Sequence, residues 1–113
     1  QKDTAKIYGS GTLEVFATPA MAALMEKTAM NSVAPFLEAG QATVGTKLEI
    51  EHLSASPVGI EVWCESELVE TDRKRLVFEV SAYDEAGLIG KGRHERFIID
   101  IQRFMEKTQA KMK

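Results

Sequence analysis

Cysteine is almost absent from this chain, which has Cys64 alone among its 113 residues. A single cysteine cannot close an internal disulfide, and it cannot supply the clustered thiolates of a Cys-based metal site. We therefore expect a reduced, cytoplasmic setting in which any chemistry rests on other side chains.

An excess of basic charge is also missing, because 14 Lys and Arg residues face 17 Asp and Glu residues and leave a net charge of −3. Nucleic-acid binding needs a basic face, so a nucleic-acid partner is not expected. No apolar run approaches the roughly 20 residues that cross a bilayer, and no secretory signal is visible. We expect no membrane partner.

Apolar residues make up 44% of the chain and charged residues 27%, as in an ordinary folded domain. The length suits one domain with one core over residues 1–113. The first ten residues are polar and are expected to be flexible. A short amphipathic helix is expected at 101–111.

A long apolar helix is predicted to begin at Thr18. Its hydroxyl can cap the free amides, and Pro19 suits the first helical position. Alanine, methionine and leucine continue the helix until Pro35 ends or kinks it, with Gly40 as a further stop signal. The predicted helix has about 16–20 residues.

Strands surround this helix in the sequence. Alternating or β-rich segments predict strands at 11–17, 42–53, 60–70, 75–84 and 88–99. Short turns join the last four, which predicts an antiparallel meander. The result is an α+β fold in which a curved sheet wraps one long central helix. The exposed sheet face and edges predict at least a dimer.

Glu26 lies on an unexpected face of this helix. Its helical neighbours are all apolar, namely Ala22, Ala23, Ala29, Met30 and Val33. A carboxylate is costly to bury, so the position indicates either a structural carboxylate or a functional one. His52 shares a predicted strand face with Val44, Leu48 and Ile50, which should meet the helix. His52 alone is typical of a core or rim histidine, but with Glu26 it would form an acid–base pair.

Three further positions each allow two interpretations. Thr18 is a helix cap or part of an oxyanion site at the helix start. Gly45 marks a bulge or the close approach of a ligand or a second backbone. His94 and Arg96 form a solvated strand face, or they contact an anion where Gly90 and Gly92 leave room.

Several segments together resemble the fluoroacetyl-CoA thioesterase-like family of hotdog proteins. They are VFATPAMAALMEKTAMNSVAPFLEAGQATVGTKLEIEHLSASPVG at 15–59, RKRLVFEVSAYDEAG at 73–87 and GRHERFIID at 92–100. The resemblance covers about residues 13–104 with almost no gaps. It implies a hotdog fold, a homodimer, and hydrolysis of an acyl-CoA thioester without a metal or redox cofactor.

The family's functional residues fall on named positions of this chain. By this resemblance Thr18, Glu26 and His52 are catalytic, whereas Gly45 and Arg96 contact the substrate. From charge alone, Lys47, Lys91 or Arg93 could meet the CoA phosphates.

The segment before the first strand departs from the family pattern. IYGSGTL places Gly9 and Thr12 where the fluoroacetyl-selective enzyme has aromatic side chains, and Tyr8 is the one aromatic nearby. The expected substrate is therefore a small or medium acyl-CoA, without an assignment to fluoroacetyl-CoA. Two alternatives stay open, a non-catalytic acyl-CoA-binding protein and an acyl-thioester dehydratase.

Overall fold

The computed structural model describes residues 16–112. Helix α1 (Thr18–Val33) comes first, and a 3-10 turn at Ala34–Phe36 follows it. Four strands come next: β1 (Gln41–His52), β2 (Val62–Asp72), β3 (Arg75–Asp84) and β4 (Gly87–Asp100). Helix α2 (Ile101–Gln109) and a final 3-10 turn at Ala110–Met112 complete the described chain. Most of the predicted strand at 11–17 and the segment 1–10 lie outside the described residues.

The four strands form one antiparallel sheet in the order β1-β4-β3-β2. The predicted four-strand meander is therefore wrong in one respect, because β1 pairs with β4 instead of β2. Only β2, β3 and β4 follow one another as neighbours. The loop after β1 crosses the end of the sheet, where Phe16 donates its backbone N–H to the Ser56 carbonyl at 3.0 Å. This loop connects β1 to β2, and these two strands lie at opposite edges of the sheet. Over its whole length β1 pairs with β4, the strand that a simple meander would leave at an edge.

Helix α1 packs on one face of this sheet. Met21, Met25 and Ala29 are completely buried and meet Phe78, Val80 and Ile89 of the sheet. Gly90 allows this close approach, since a Cβ there would come within 2.5 Å of the Met21 sulfur. The space beside Gly92 is filled by the β1 backbone and Ile50. The two glycines thus serve helix–sheet and strand–strand packing, and they leave no room for an anion.

An extra residue in β1 decides which side chains face α1. The pairing of β1 with β4 shifts between Gly45 and Lys47, so Thr46 is inserted as a bulge. Side chains alternate with a period of two, and one inserted residue therefore exchanges the faces of everything before it. His52 keeps its predicted helix-facing side, but Val44 lies on the opposite face. Gly45 takes the helix-facing position beside Arg96, its direct partner in the ladder.

Two observations apply to the described part of the chain alone. Neither of its α-helices is both long and apolar enough to cross a membrane. No group of three or more His, Cys, Asp or Glu side chains within 16–112 is arranged to hold a metal ion.

Candidate active site

The first part of the site is a hydrogen bond between the start of α1 and the end of β1. Thr18 Oγ1 lies 2.8 Å from His52 Nδ1. The prediction that Thr18 caps the helix is wrong: Ala17 is the N-cap residue, and no side chain caps the helix start. The hydroxyl binds the imidazole instead, so this helix terminus keeps amides uncapped by any side chain, with their partial positive charge.

The other ring nitrogen of His52 has no partner in the part of the chain that the structure describes. His52 Nε2 is a buried side-chain polar atom that makes no hydrogen bond within the described residues. Burial lowers the pKa of His52, because desolvation disfavours the charged imidazolium. Phe16 contributes to this environment with its ring edge-on to the imidazole, at a centroid distance of 6.5 Å. The arrangement gives a neutral imidazole with one nitrogen oriented by Thr18 and one buried nitrogen that has no partner among residues 16–112.

The second part of the site gathers Glu26, Gly45 and Arg96. A Cβ built on Gly45 would lie 3.1 Å from Glu26 Oε2 and 3.2 Å from Arg96 Nη1. Burial lowers the pKa of Arg96, whereas the negative charge of Glu26 raises it. Glycine at position 45 therefore leaves a gap between a carboxylate and a guanidinium, at the bulge in β1. The bulge interpretation of Gly45 is confirmed, because the register shifts directly after it. The groups that approach it closely are side chains and not a second backbone, and the approach of a ligand stays a prediction.

Arg96 is held in place by hydrogen bonds with Thr43 and His94, a set that the sequence did not predict. It is 5% exposed, and it donates from Nε to Thr43 Oγ1 at 2.8 Å and from Nη2 to the Thr43 carbonyl at 2.9 Å. Its Nη1 lies 3.1 Å from His94 Nε2. These bonds fix the guanidinium against β1 and direct its remaining N–H groups toward Gly45.

The partners of His94 define its tautomer. Its Nδ1 lies 2.9 Å from the Lys47 carbonyl, which can only accept, so Nδ1 carries the proton. Its Nε2 then accepts from Arg96, since a guanidinium can only donate. His94 is completely buried, as a neutral imidazole that orients Arg96. Its position two residues before Arg96 on the same strand face was the available sequence signal.

The five predicted site residues therefore form two groups in one chain. Thr18 and His52 form one group, whereas Glu26, Gly45 and Arg96 form the other. Glu26 and His52 share no hydrogen bond in the described structure, although their common face predicted an acid–base pair. Eight residues of helix separate Thr18 from Glu26, which is about 12 Å along the axis.

The cations suggested for the CoA phosphates lie on the opposite sheet face and are largely neutralised. Lys47 pairs with Glu49 at 3.1 Å, and Arg93 approaches Glu70 at 3.6 Å. Lys91 and Arg93 line a groove of about 640 Å³ that also contains three carboxylates, those of Glu49, Glu51 and Glu79. This groove has more negative than positive charge, which disfavours a polyphosphate.

Comparisons with known proteins identify the family of this chain. The family described as fluoroacetyl-CoA-specific thioesterase matches residues 1–102. The fluoroacetyl-CoA thioesterase of Streptantibioticus cattleyicolor is 40% identical over 98 residues, which cover 87% of this chain and 70% of that protein. A solved structure of a fluoroacetyl-CoA thioesterase superposes with a TM-score of 0.90 at 35% identity, over 97% of this chain and 86% of the other.

A more distant structure supports the architecture alone. A hot-dog-like protein from Thermanaerovibrio acidaminovorans has a TM-score of 0.91 at 22% identity, over 99% of this chain and 83% of its own. The predicted α+β hotdog fold is thereby confirmed. Together with the family match over most of the sequence, these similarities show that the chain belongs to the fluoroacetyl-CoA-specific thioesterase family.

Proposed function

We propose that this protein is an acyl-CoA thioesterase that hydrolyses a small or medium acyl-CoA to the free acid and CoA. The observation that carries the proposal is the Thr18–His52 pair, with a neutral imidazole whose buried Nε2 has no partner within residues 16–112. Relatives support it, since one solved family structure holds acetyl-CoA and another holds fluoroacetate with CoA. The non-catalytic binder and the dehydratase are not favoured by these similarities.

The chemistry assigned to His52 is general base followed by general acid catalysis. As a water oxygen bonds to the thioester carbonyl carbon, its proton passes to the imidazole. The tetrahedral intermediate then collapses, the carbon–sulfur bond breaks, and the departing sulfur takes the proton from the imidazolium. Thr18 holds the ring through Nδ1 and leaves Nε2 for proton transfer. Uncapped amides at the start of α1 offer donors for the developing oxyanion.

A second route uses Glu26 as the nucleophile. Its carboxylate oxygen would attack the carbonyl carbon, expel the thiolate and leave a mixed anhydride, which water then hydrolyses. Gly45 provides the open space beside this carboxylate, and Arg96 can stabilise negative charge on the acyl oxygen. Thr43 acts as a positioning residue because it binds Arg96 through its hydroxyl and its carbonyl. His94 also holds Arg96, and its Cε1 borders the same space.

A composite site in a homodimer accounts for the separation between the two groups. A thioester carbonyl needs catalytic groups within about 2.6–3.2 Å, far less than the roughly 12 Å between Thr18 and Glu26 along α1. In the described structure β1 is an edge strand of 12 residues that pairs only with β4, so its other edge can receive a second copy. The proposed site joins Thr18 and His52 of one chain to Glu26, Gly45 and Arg96 of the other.

A mixed-dimer experiment tests this arrangement. Chains carrying His52→Ala and Glu26→Gln are co-expressed with different tags, and the heterodimer is purified. If the groups come from different chains, one site keeps both His52 and Glu26, and about half of the wild-type activity per dimer returns. An inactive heterodimer would show that each site is built within one chain. A purely monomeric wild-type protein in solution would contradict the proposal directly.

Hydrolysis itself is tested with a panel of acyl-CoA substrates. Release of free CoA thiol is measured with a thiol reagent, and enoyl-CoA is followed by its absorbance. We expect thiol release that His52→Ala lowers by roughly 10²-fold or more, as loss of a positioned acid–base group does. Binding without thiol release would identify a non-catalytic binder, and enoyl-CoA formation would identify a dehydratase.

The proposal also includes an acyl selectivity and a cellular compartment. Gly9 and Thr12, which replace the expected aromatic side chains, lie outside the described residues. Their small size favours an open acyl site, so the panel should show activity on acyl groups other than fluoroacetyl. The cytoplasm stays the predicted compartment, on the grounds of the single cysteine.

A further inference from the structure

A groove at the end of β4 differs in charge from the rest of this acidic chain. It has a volume of about 370 Å³ and is lined by Lys74, Arg103 and Lys107, by Phe104, Ile98 and Ile99, and by Asp100. Three cations face one carboxylate, and that carboxylate already accepts the Arg103 backbone N–H at 3.0 Å. None of the three cations forms an ion pair with another residue in the range 16–112.

The backbone on both sides of this groove is fixed. The Ile98 N–H donates to the Lys74 carbonyl at 2.8 Å, which ties the β2–β3 turn to β4. The Ile101 N–H donates to the Gly40 carbonyl at 2.9 Å, which anchors the first turn of α2. Arg103 and Lys107 are four residues apart and therefore lie on the same face of α2. The cations thus project from defined positions around one opening.

The apolar lining indicates more than a simple anion site. Phe104 is 38% exposed, and Ile98 and Ile99 form the adjoining surface. An aromatic ring beside several cations suits a ligand that combines a nucleobase with phosphates, since the base can stack while the phosphates pair with Lys and Arg. The nucleotide end of CoA has this chemistry.

The distance from the proposed reaction centre also fits. Arg96 and Asp100 are four residues apart on β4, which corresponds to about 13 Å of extended strand. The pantetheine arm of CoA has about as many chain atoms between its sulfur and the pyrophosphate as the backbone of four residues has. When extended, the arm therefore also spans about 13 Å. A thioester carbonyl beside Arg96 would therefore place the phosphates near this end of the strand.

We propose that the groove lined by Lys74, Arg103, Phe104 and Lys107 binds the phosphoadenosine end of the CoA substrate. This inference rests on the proposed thioesterase function. It replaces the charge-based suggestion of Lys47, Lys91 and Arg93. Lys47 pairs with Glu49, and the groove that Lys91 and Arg93 line contains more carboxylates than cations. Removal of Arg103 and Lys107 should weaken CoA binding without changing the chemistry at Gly45 and His52.

The test compares two substrates that share the acyl thioester but differ in the nucleotide. For an Arg103→Ala, Lys107→Ala double variant, KM for acyl-CoA should rise about tenfold or more, as expected for lost charge-assisted hydrogen bonds. Its kcat for acyl-CoA and both constants for the matching acyl-pantetheine should stay unchanged. Lys111→Ala, at an exposed lysine outside the groove, is the control and should behave as wild type.

A binding measurement separates this inference from the thioesterase proposal. Adenosine 3′,5′-bisphosphate should bind the wild type by calorimetry and bind the double variant at least tenfold more weakly, whether or not hydrolysis occurs. Equal KM changes for both substrates, no KM change, or equal competition by inorganic phosphate would overturn the nucleotide assignment. An enzyme inactive on both substrates that still binds the bisphosphate in the groove would refute the proposed hydrolysis and retain this site.

Discussion

Alanine at position 45 tests whether the reacting group occupies the gap above Gly45. The new methyl carbon would lie 3.1 Å from Glu26 Oε2, 3.1 Å from His94 Cε1 and 3.2 Å from Arg96 Nη1. Each distance is a few tenths of an ångström shorter than ordinary van der Waals contact, so these side chains must move apart. The substitution therefore fills the gap and displaces the groups that border it.

The effect of this substitution on stability should be small. The backbone of Gly45 is outside the left-handed region, so alanine can adopt its conformation. Alanine in a strand gains about 0.5–1 kcal/mol over glycine, whereas mild overpacking costs about 1–3 kcal/mol. The net loss is between about 0 and 2.5 kcal/mol, which thermal unfolding can measure.

The effect on activity should be much larger. Misplacement of catalytic groups by about 1 Å can cost 10²-fold, and here the methyl also occupies the space assigned to the thioester. We expect kcat/KM for the best acyl-CoA to fall about 10²-fold. If kcat/KM stayed within twofold of wild type in a folded Gly45→Ala protein, the substrate would not pass over Gly45 and the proposed arrangement would be wrong.

The control is the same substitution at another glycine of the same sheet. A Cβ on Gly92 would overlap the carbonyl oxygen of Glu49 and lie 2.5 Å from Ile50 Cγ2. Backbone cannot withdraw as a side chain can, so Gly92→Ala should lower the unfolding midpoint more than Gly45→Ala does. Loss of stability at Gly92 and loss of activity at Gly45 would separate packing from function.

Three further predictions concern Thr18, His52 and His94. Thr18→Val should lower kcat about 10- to 100-fold without lowering the unfolding midpoint, whereas loss of a true helix cap would cost about 1 kcal/mol. Because burial lowers the pKa of His52, the acid limb of kcat/KM should have its midpoint below pH 6.5, and a midpoint above 6.5 would contradict desolvation as the cause. The contribution of the neutral imidazole to the free energy of unfolding should be complete above pH 6.5 and should decline as the pH falls below it. His94→Leu should raise KM and lower kcat through a misoriented Arg96, and His94→Gln, which retains an acceptor, should restore part of kcat; equal losses in both variants would indicate a packing role.

Local sequence signals were sufficient for the elements themselves. Thr18–Val33 forms the predicted helix because its alanine, methionine and leucine residues favour helix and Pro35 ends it. The strand at Arg75–Asp84 has its predicted bounds, and the other three differ by one or two residues. Short-range rules decide these features because the interactions that set them lie within a few residues of each other.

The sequence also determined that Glu26 is unusual, from its apolar helical neighbours alone. Residue patterns also singled out Thr18, His52, Gly45 and Arg96, each with two interpretations, and the family resemblance then implied a catalytic or substrate-binding role for each. Residue pattern and resemblance both depend on side-chain identity, and they say little about which atoms meet.

Only the tertiary structure decided the partners. The β1–β4 pairing, with its bulge at Thr46, turned Gly45 toward Arg96 and Val44 away, because a one-residue shift exchanges the two faces of a strand. The Thr18 hydroxyl forms a hydrogen bond with the His52 imidazole and does not cap the helix, because the fold brings the end of β1 beside the start of α1. The bonds of Arg96 to Thr43 and of His94 to the Lys47 carbonyl likewise join strands about 50 residues apart in sequence. Local patterns do not contain the register that brings these residues together.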